Sequence, residues 1–356
     1  MKQTKVLIEC HSLLGDLVLM TPMILALKEN RPEFLIDIAV GSEAEIDILH
    51  RMGNVINEYY IFNPSRMNKK EILELMVKLR KNHYDYGVVS VSENSISGAL
   101  FLKAVGCKYQ IGETSGNRFI DYNYPIREKD CLHRAERNLR LLYKFDIKPS
   151  IRSNTLFIEN ELKQLARNQV NQRNGERIIS ICLGTGNFIW KEKKRKRVAY
   201  NCKKWGYDRF FQLTKRLLDS GYKVIWIGGN KEKKELPDYY FEFESVSLIN
   251  LIGKTTIEEA IGILSISDLV IGADTGLMHC AAAMNIKTLC LIGATDPEKI
   301  RPYSSRAEMI YLNLSCSPCY GTKEAVYCKD RKCLKNISVD MVYTRAEEIL
   351  KGESIK

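Results

Sequence analysis

The sequence predicts an α/β protein built from two doubly wound domains, each with a parallel sheet covered by helices on both faces. Short β-branched runs alternate with helical patterns in both halves of the chain, and strand-helix-strand units of this kind give parallel strands. A length of 356 residues accommodates two ordinary domains. An apolar content of 45% with 27% charged residues is typical of a soluble globular protein.

The elements follow one another in a regular order. In the first half the predicted strands are residues 5–9, 36–40, 58–62 and 86–90, and the predicted helices are residues 17–30, 43–52 and 69–82. In the second half the predicted strands are residues 178–183, 223–228, 269–272 and 288–292, and the predicted helices are residues 207–220 and 256–266. The polar, helix-like segment 160–175 is the expected linker. We therefore expect one domain over residues 1–170, another over residues 171–340, and a terminal helix over residues 341–356 that packs back toward the first domain.

The net charge of +11 favours acidic partners such as nucleic acid, anionic lipid headgroups or phosphorylated sugars. Much of it lies in the run KEKKRKR at residues 191–197, but no aromatic ladder accompanies this run, so we expect no nucleic-acid partner. No apolar run approaches the roughly 20 residues that cross a bilayer. The start MKQTKVLIEC does not resemble a cleavable signal, and we expect a cytoplasmic protein.

Residues 271–297 carry the most informative pattern, two strands that bracket a helix without bulky charge in its first turn. Asp274, Thr275 and Gly276 follow the first strand directly, and a helix of small residues begins at once. The free backbone N–H groups and positive dipole end of such a helix bind anions. We expect a phosphate, and specifically a diphosphate, at this position. His279 either reaches that phosphate or packs in the interior.

A glycine-containing motif, LGTGN, follows the strand at residues 178–183 and holds Gly184, Thr185 and Gly186. These glycines allow a phosphate to approach the backbone, but an isoleucine occupies the last glycine position of the dinucleotide fingerprint. The triplet DTG at residues 274–276 occurs once and opens a helix, which excludes an aspartic protease.

Gly15 and Asp16 lie in the loop SLLGD, between the first strand and a helix that carries Thr21. Open α/β sheets place their chemistry at the carboxyl ends of strands. A carboxylate there takes a proton from a hydroxyl nucleophile, or it caps the helix that follows. Position alone leaves both roles open.

Four of the eleven cysteines are close in sequence, and the other seven are scattered singly, as reduced cytosolic cysteines are. The four follow the pattern C-x2-C-x8-C-x4-C and are Cys316, Cys319, Cys328 and Cys333. This spacing is compatible with one tetrahedral structural metal, zinc or iron. A reduced cluster without metal is the alternative.

Several segments together resemble glycosyltransferase family nine, the ADP-heptose:lipopolysaccharide heptosyltransferases. They are GDLVLMTPMILALK, KKWGYDRF, NLIGKTTIEEAIGIL, and IGADTGLMHCAAA followed by GATDP. The similarity covers nearly the whole chain. It implies a GT-B fold, in which two Rossmann-like domains face a central cleft, with the acceptor on the N-terminal side and the nucleotide sugar on the C-terminal side.

The resemblance also implies roles for individual residues. It makes Asp16 the general base, with Gly15 and Thr21 on the acceptor side. The implied donor-binding residues are Gly184, Thr185, Gly186, Lys203, Glu232, Asp274, Thr275, Gly276, Leu277 and His279. Among these, Lys203 and the helix start hold the diphosphate, Asp274 and His279 contact the donor, and Glu232 lies near the ribose.

The expected activity is the inverting transfer of heptose from ADP-heptose to a lipopolysaccharide inner-core acceptor. Because Lys203 and the helix start compensate the charge of the leaving diphosphate, we expect no cofactor in the chemistry. The basic surface suggests a peripheral enzyme on the anionic inner face of the inner membrane. The alternatives are a protein heptosyltransferase, a transferase that uses another nucleotide sugar, and a binding protein without catalysis.

Overall fold

The computed structural model describes residues 3–10, 13–91, 95–113, 122, 124–126, 132–148, 150, 153–185, 188–192, 195–199 and 202–352. Only the backbone is described at residues 95, 124–126, 188–192 and 195–199. The chain divides into two compact units, residues 1–157 and 158–356. The division therefore falls before the polar segment 160–175, earlier than the position near residue 170 expected from composition.

The first unit contains a six-stranded parallel sheet with the order β3-β2-β1-β4-β5-β6. Its strands are β1 Lys5–Cys10, β2 Leu35–Val40, β3 Glu58–Ile61, β4 Tyr86–Val89, β5 Tyr109–Glu113 and β6 Tyr124–Ile126. Its α-helices are α1 Leu14–Val18, α2 Thr21–Asn30, α3 Glu43–Leu49, α4 Lys69–Arg80, α5 Ser95–Val105 and α6 Arg134–Arg140. This order is that of a doubly wound sheet, in which ligands bind where the strand order reverses, here between β1 and β4.

The helix predicted over residues 17–30 is two helices, α1 and α2. Pro22 lies in the first turn of α2 and has no N–H to donate to the preceding turn. The Thr21 hydroxyl donates to the carbonyl of Val18 at 2.7 Å and so gives this last carbonyl of α1 a hydrogen-bond partner. The short α1 therefore remains separate and holds Asp16 beside the end of β1.

The second unit repeats the same winding with the parallel order β11-β10-β7-β12-β13-β14. Its strands are β7 Ile178–Cys182, β8 Phe188–Glu192, β9 Arg195–Ala199, β10 Lys223–Ile227, β11 Leu248–Asn250, β12 Leu269–Ala273, β13 Thr288–Ile292 and β14 Ala307–Tyr311. Its helices are α7 Asn160–Gln169, α8 Tyr207–Asp219, α9 Asn230–Glu235, α10 Tyr239–Glu242, α11 Ile257–Ser265, α12 Gly276–Ala283, α13 Pro297–Ile300, α14 Lys323–Tyr327, α15 Lys332–Lys335 and α16 Val339–Lys351. The basic run contributes to the separate antiparallel pair of β8 and β9.

Two apolar clusters lie in the second unit, and both draw on its central strands. One contains Trp205, Phe210 and Trp226, and the other contains Val170 and Met278. Strands β7, β10, β12 and β13 are buried along their whole length, as parallel strands covered on both faces are. Among the helices that the structure describes, none has the length and apolar composition of a membrane span.

Two segments, one at each end of the second unit, form packed helices. The segment expected as a linker forms α7, which packs on α11 and places Ala166 in an apolar cluster of the second unit. Its apolar positions have helical spacing, so the helix-like segment is an amphipathic helix of the second unit and not a linker. The terminal helix α16 places Val342, Ala346 and Ile349 in the cluster of Trp205, so its apolar face packs within the second unit.

Candidate active site

Three neighbouring strands of the second sheet, β7, β12 and β13, are each followed by a threonine. Thr185 follows β7, Thr275 follows β12 and Thr295 follows β13, so all three lie along one edge of the sheet. Each hydroxyl oxygen is buried and has no hydrogen-bond partner among the described residues. Buried polar groups are normally paired, so this row indicates a place for a polar ligand. We call the carboxyl ends of β7, β12 and β13 the threonine edge.

Lys203, Asp274 and His279 form a charged cluster at this edge. The Nζ of Lys203 donates to Oδ2 of Asp274 at 2.7 Å, and Nε2 of His279 lies 3.4 Å from Oδ1 of the same carboxylate. The side chains of Lys203 and Asp274 are only 12% and 5% exposed. The cluster therefore presents fixed charges in a poorly hydrated environment, where electrostatic interactions are stronger than in water.

The protonation states follow from these contacts. Burial by itself would raise the pKa of Asp274, but the Lys203 charge, together with the hydrogen bond and charge of His279, holds that pKa well below its usual range. Burial would lower the pKa of Lys203, yet Asp274 and then Tyr320 keep it above the ordinary value. Both groups are thus charged at neutral pH, and Asp274 is a poor candidate for a general base.

The helix α12 starts at the same edge. Within the described chain no side chain caps this start, and its first turn carries no acidic residue. Gly272 lets the helix pack closely on the sheet, because a Cβ there would lie 2.9 Å from Sδ of Met278. The first backbone N–H groups, at Gly276 and Leu277, and the positive end of the dipole are therefore suited to an anion.

Trp205, two residues after Lys203, fixes the position of this lysine. The ring N–H of Trp205 donates to the carbonyl of Ile337 at 2.8 Å, and the ring packs edge-on against Phe210. Gly206 has a φ of +119°, a conformation that L side chains rarely adopt, and α8 begins directly after it. The segment KKWGYDRF is therefore an anchored turn that holds Lys203 at the threonine edge.

Gly184 and Glu232 are also neighbours at the carboxyl ends of β7 and β10. Oε2 of Glu232 accepts from the backbone N–H of Gly229 at 2.9 Å, and its carboxyl carbon lies 3.4 Å from where a Cβ of Gly184 would be. The structure thus brings together two residues that the family resemblance assigns to the donor. Gly186 lies outside the described residues.

In the first unit, Asp16 forms an ion pair with Arg134 of α6. The two side chains are 24% and 17% exposed, so the carboxylate is oriented by the guanidinium and still reachable from solvent. Asp16 lies inside the first turn of α1, next to Gly15, and the cap position belongs to Leu13. Asp16 therefore does not occupy the capping position of α1.

Thr21 has a packing role in place of the expected acceptor contact. Its side chain is fully buried, and its hydroxyl is 2.7 Å from the carbonyl of Val18 and 2.7 Å from the hydroxyl of Thr155. These two contacts satisfy the hydroxyl within the first unit.

The structure does not support the expected metal site. In the ranges described, no group of three or more His, Cys, Asp or Glu side chains is arranged to hold a metal ion. Burial, and after it the neighbouring thiols of Cys333 and Cys328, raises the pKa of Cys319 to about 11. The four cysteines are near one another but belong to a packed loop, with Cys333 in an apolar cluster and Cys319 packed on another.

Sequence reasoning missed three residues at these sites, Arg134, Thr295 and Tyr320. Thr295 was within reach of sequence reasoning, because it follows a predicted strand as Thr185 and Asp274 do. Arg134 lies 118 residues from Asp16, and no local pattern links the two. Tyr320 lies in the cysteine segment, where the cysteines alone suggested a function.

Two doubly wound sheets, with a cluster of fixed charges at one sheet edge, give the architecture of a GT-B glycosyltransferase. The family model of glycosyltransferase family 9 (heptosyltransferase) matches residues 72–329. Lipooligosaccharide heptosyltransferase 2 of Campylobacter jejuni is 22% identical over 99% of this chain and 100% of its own length. The structure of Escherichia coli ADP-heptose lps heptosyltransferase II has a TM-score of 0.78 at 22% identity, covering 98% of this chain and 99% of that one.

A further solved structure, Escherichia coli heptosyltransferase WaaC with ADP, has a TM-score of 0.72 at 17% identity and covers 97% of this chain and 100% of that one. Since the family match spans well over half of the sequence, the chain belongs to glycosyltransferase family 9 and is a glycosyltransferase of the heptosyltransferase family.

Proposed function

We propose that this enzyme transfers a heptose from ADP-heptose, with inversion at the anomeric carbon, to the inner core of lipopolysaccharide. The observation that carries the proposal is the buried cluster of Lys203, Asp274 and His279 beside the start of α12. Family membership and the lipopolysaccharide and lipooligosaccharide heptosyltransferases among the relatives support the substrate class.

The donor's diphosphate gains negative charge as the sugar leaves. The ammonium of Lys203 and the N–H groups at the start of α12 supply positive charge that is in place before the reaction, as a divalent ion does in other enzymes. Glu232 is the proposed partner of the ribose hydroxyls, and Thr185, Thr275 and Thr295 supply hydroxyl groups for the nucleotide. The solved relative named with ADP supports the choice of an adenine nucleotide.

Asp16 is the proposed general base. As the acceptor oxygen forms its bond to the anomeric carbon, the bond from that carbon to the diphosphate oxygen breaks, and the acceptor's proton passes to the Asp16 carboxylate. Because the acceptor oxygen attacks once, from the face opposite the leaving diphosphate, the configuration at the anomeric carbon is inverted. Partial exposure and the ion pair with Arg134 favour Asp16 for this role, since the carboxylate is reachable and oriented.

We also infer an anionic membrane surface as a partner, on the cytoplasmic face, because a lipopolysaccharide acceptor is held by its lipid. Helices α4 and α5 contact each other and expose an aliphatic row, Leu73, Val77, Ile96 and Leu100. Basic residues accompany this row, namely Lys69, Lys70, Lys78, Arg80, Lys81 and Lys103. Aliphatic residues flanked by cations suit a surface of anionic headgroups.

A sugar-nucleotide screen followed by transfer assays tests the proposal. ADP-heptose at a hundred times its dissociation constant adds about 2.7 kcal/mol to the free energy of unfolding, whereas UDP-sugars at the same concentration add none. Radiolabelled heptose is then expected in the lipid acceptor and not in a polypeptide acceptor. Label in the polypeptide alone would establish a protein heptosyltransferase. Stabilisation by a different nucleotide sugar would show that the donor is not ADP-heptose.

Vesicle sedimentation tests the membrane partner separately. The protein is expected to sediment with vesicles containing phosphatidylglycerol and not with phosphatidylcholine alone. Replacing Leu73, Val77 and Leu100 by Ser is expected to remove this binding, whereas Leu165→Ser, at an exposed position of α7, is expected to leave it unchanged. Equal binding by the triple variant would contradict the assignment of the α4 and α5 surface.

A further inference from the structure

The four late cysteines lie in one loop, residues 314–333, which we call the cysteine loop, and this loop is attached to the threonine edge. The hydroxyl of Ser317 donates to the carbonyl of Gly293, just after β13. The backbone N–H groups of Cys319 and Tyr320 both donate to the carbonyl of Ala294, at 2.8 and 2.7 Å. Three hydrogen bonds thus fix one part of the loop against the two residues before Thr295.

Gly293 has a steric role in this attachment. A Cβ at position 293 would lie 2.5 Å from Cγ of Leu334, a distance that real side chains do not tolerate. Leu334 belongs to α15, immediately after the loop, and is part of the cluster that contains Trp205. Both ends of the cysteine loop are therefore held close to the end of β13.

The attachment brings the ring of Tyr320 to Lys203. The Nζ of Lys203 lies 4.5 Å from the ring centroid, within the range of a cation–π interaction. The carboxylate of Asp274 holds the same Nζ at 2.7 Å. The ammonium is thus held between a ring and a carboxylate, and within the described residues its other N–H donors have no acceptor and can bind an anion.

We propose that Tyr320 is a positioning residue for donor binding, and that the cysteine loop serves to hold its ring against Lys203. The ring face attracts the ammonium and excludes water from it, which strengthens the interaction of Lys203 with a diphosphate. This inference rests on the proposed function, in which Lys203 binds the diphosphate. It gives the cysteine loop a role that needs no metal ion.

The test measures the dissociation constant of ADP by calorimetry in single and double variants. Tyr320→Leu removes the aromatic face and is expected to weaken ADP binding about five- to tenfold, a loss between those of an exposed and a desolvated cation–π contact. Tyr320→Phe keeps the face and is expected to stay within twofold of the wild type. The matched control is Tyr327→Leu in the same loop, where Lys323 lies 5.9 Å from the ring, and it is also expected to stay within twofold.

The double variant decides whether the effect passes through Lys203. In the Lys203→Met background, Tyr320→Leu is expected to weaken ADP binding less than twofold further. An undiminished loss in that background, or a loss in Tyr320→Phe as large as in Tyr320→Leu, would overturn the inference. If Lys203→Met alone leaves ADP affinity unchanged, the proposed diphosphate role of Lys203 fails. If it weakens ADP binding while Tyr320→Leu does not, only the inference about Tyr320 fails.

Discussion

The two sheets have the same strand order, and each places an ion pair at the carboxyl edge near its switch point, yet the pairs differ in environment. The two carboxylates differ most: the side chain of Asp16, paired with Arg134, is 24% exposed, whereas that of Asp274, paired with Lys203, is only 5% exposed. The carboxylate of Asp274 contacts both Lys203 and His279, and the ring of Tyr320 lies against the ammonium of Lys203.

The difference separates two kinds of chemistry. A carboxylate that solvent and substrate reach can accept a proton, as a general base must. A buried carboxylate whose pKa is held low by a lysine cannot do so, but it keeps the ammonium charged and oriented. The same strand order therefore gives a reachable carboxylate, the proposed base, in one unit and a buried ion pair in the other.

The largest expected effect is that of Asp16→Asn. Because the amide cannot take the acceptor's proton, the transfer rate is expected to fall by about 10² to 10⁴, with ADP affinity within twofold of the wild type. Rates and calorimetry together check this. The control is Asp85→Asn, a half-buried carboxylate near the amino end of β1 that accepts from the backbone N–H of Lys5 and is expected to leave the rate unchanged. Full activity in Asp16→Asn would remove the base from the proposal.

Lys203→Met is expected to lower both the transfer rate and the stability of the fold. The transfer rate falls on the order of 10²-fold because a preorganised charge is lost, and the free energy of unfolding falls by about 3 kcal/mol because Asp274 is left buried without its partner. Denaturant unfolding and initial rates measure the two effects. Lys70→Met, whose side chain pairs with Glu74 on the exposed surface of α4, is expected to cost less than about 1 kcal/mol. Equal stability losses at both lysines would argue against a special environment at Lys203.

Acid unfolding tests the environment of Asp274. The pKa of Asp274 is depressed in the folded state, so its stabilisation is present above the ordinary value of 3.8 and is lost as the pH falls below it. Asp274→Asn is therefore expected to be less stable at neutral pH but to lose less further stability between about pH 5 and pH 3. Asp340→Asn, at a carboxylate that is 82% exposed, is expected to keep the wild-type acid response. An unchanged slope in Asp274→Asn would contradict the depressed pKa.

The smallest expected effect is that of Thr295→Val. Its hydroxyl has no partner within the described residues, so the substitution is expected to leave stability nearly unchanged and to weaken ADP binding by up to about tenfold, the value of one ordinary hydrogen bond. Thr288→Val is the matched control. Thr288 is a fully buried threonine at the start of β13, the strand that Thr295 follows. Its hydroxyl also lacks a partner in the described chain. Its substitution is expected to leave ADP affinity unchanged, so similar ADP affinities in the two variants would count against the threonine edge.

Local patterns predicted much of the fold. Strands β7, β10, β12 and β13 and helices α8 and α11 were all predicted from apolar runs and periodicity, because burial imposes a repeat that is visible in a short segment. The same local reading predicted the open start of α12. It recognised the helical character of α7 but took this packed helix for a linker because of its polar composition. It also missed the break between α1 and α2, which depends on one proline and one hydroxyl.

The sequence by itself determined the fold class, the family, and the residues Asp16, Lys203, Asp274 and His279 as candidates. Only the tertiary structure decided their partners, because Arg134 and Tyr320 are far from Asp16 and Lys203 along the chain and reach them through separate elements. Only the tertiary structure also gave the cysteine segment a structural context, since its spacing is compatible with a metal site but its backbone hydrogen bonds attach it to the end of β13. Local sequence encodes the period of burial, whereas the charge, exposure and orientation of a side chain depend on neighbours that folding brings from elsewhere.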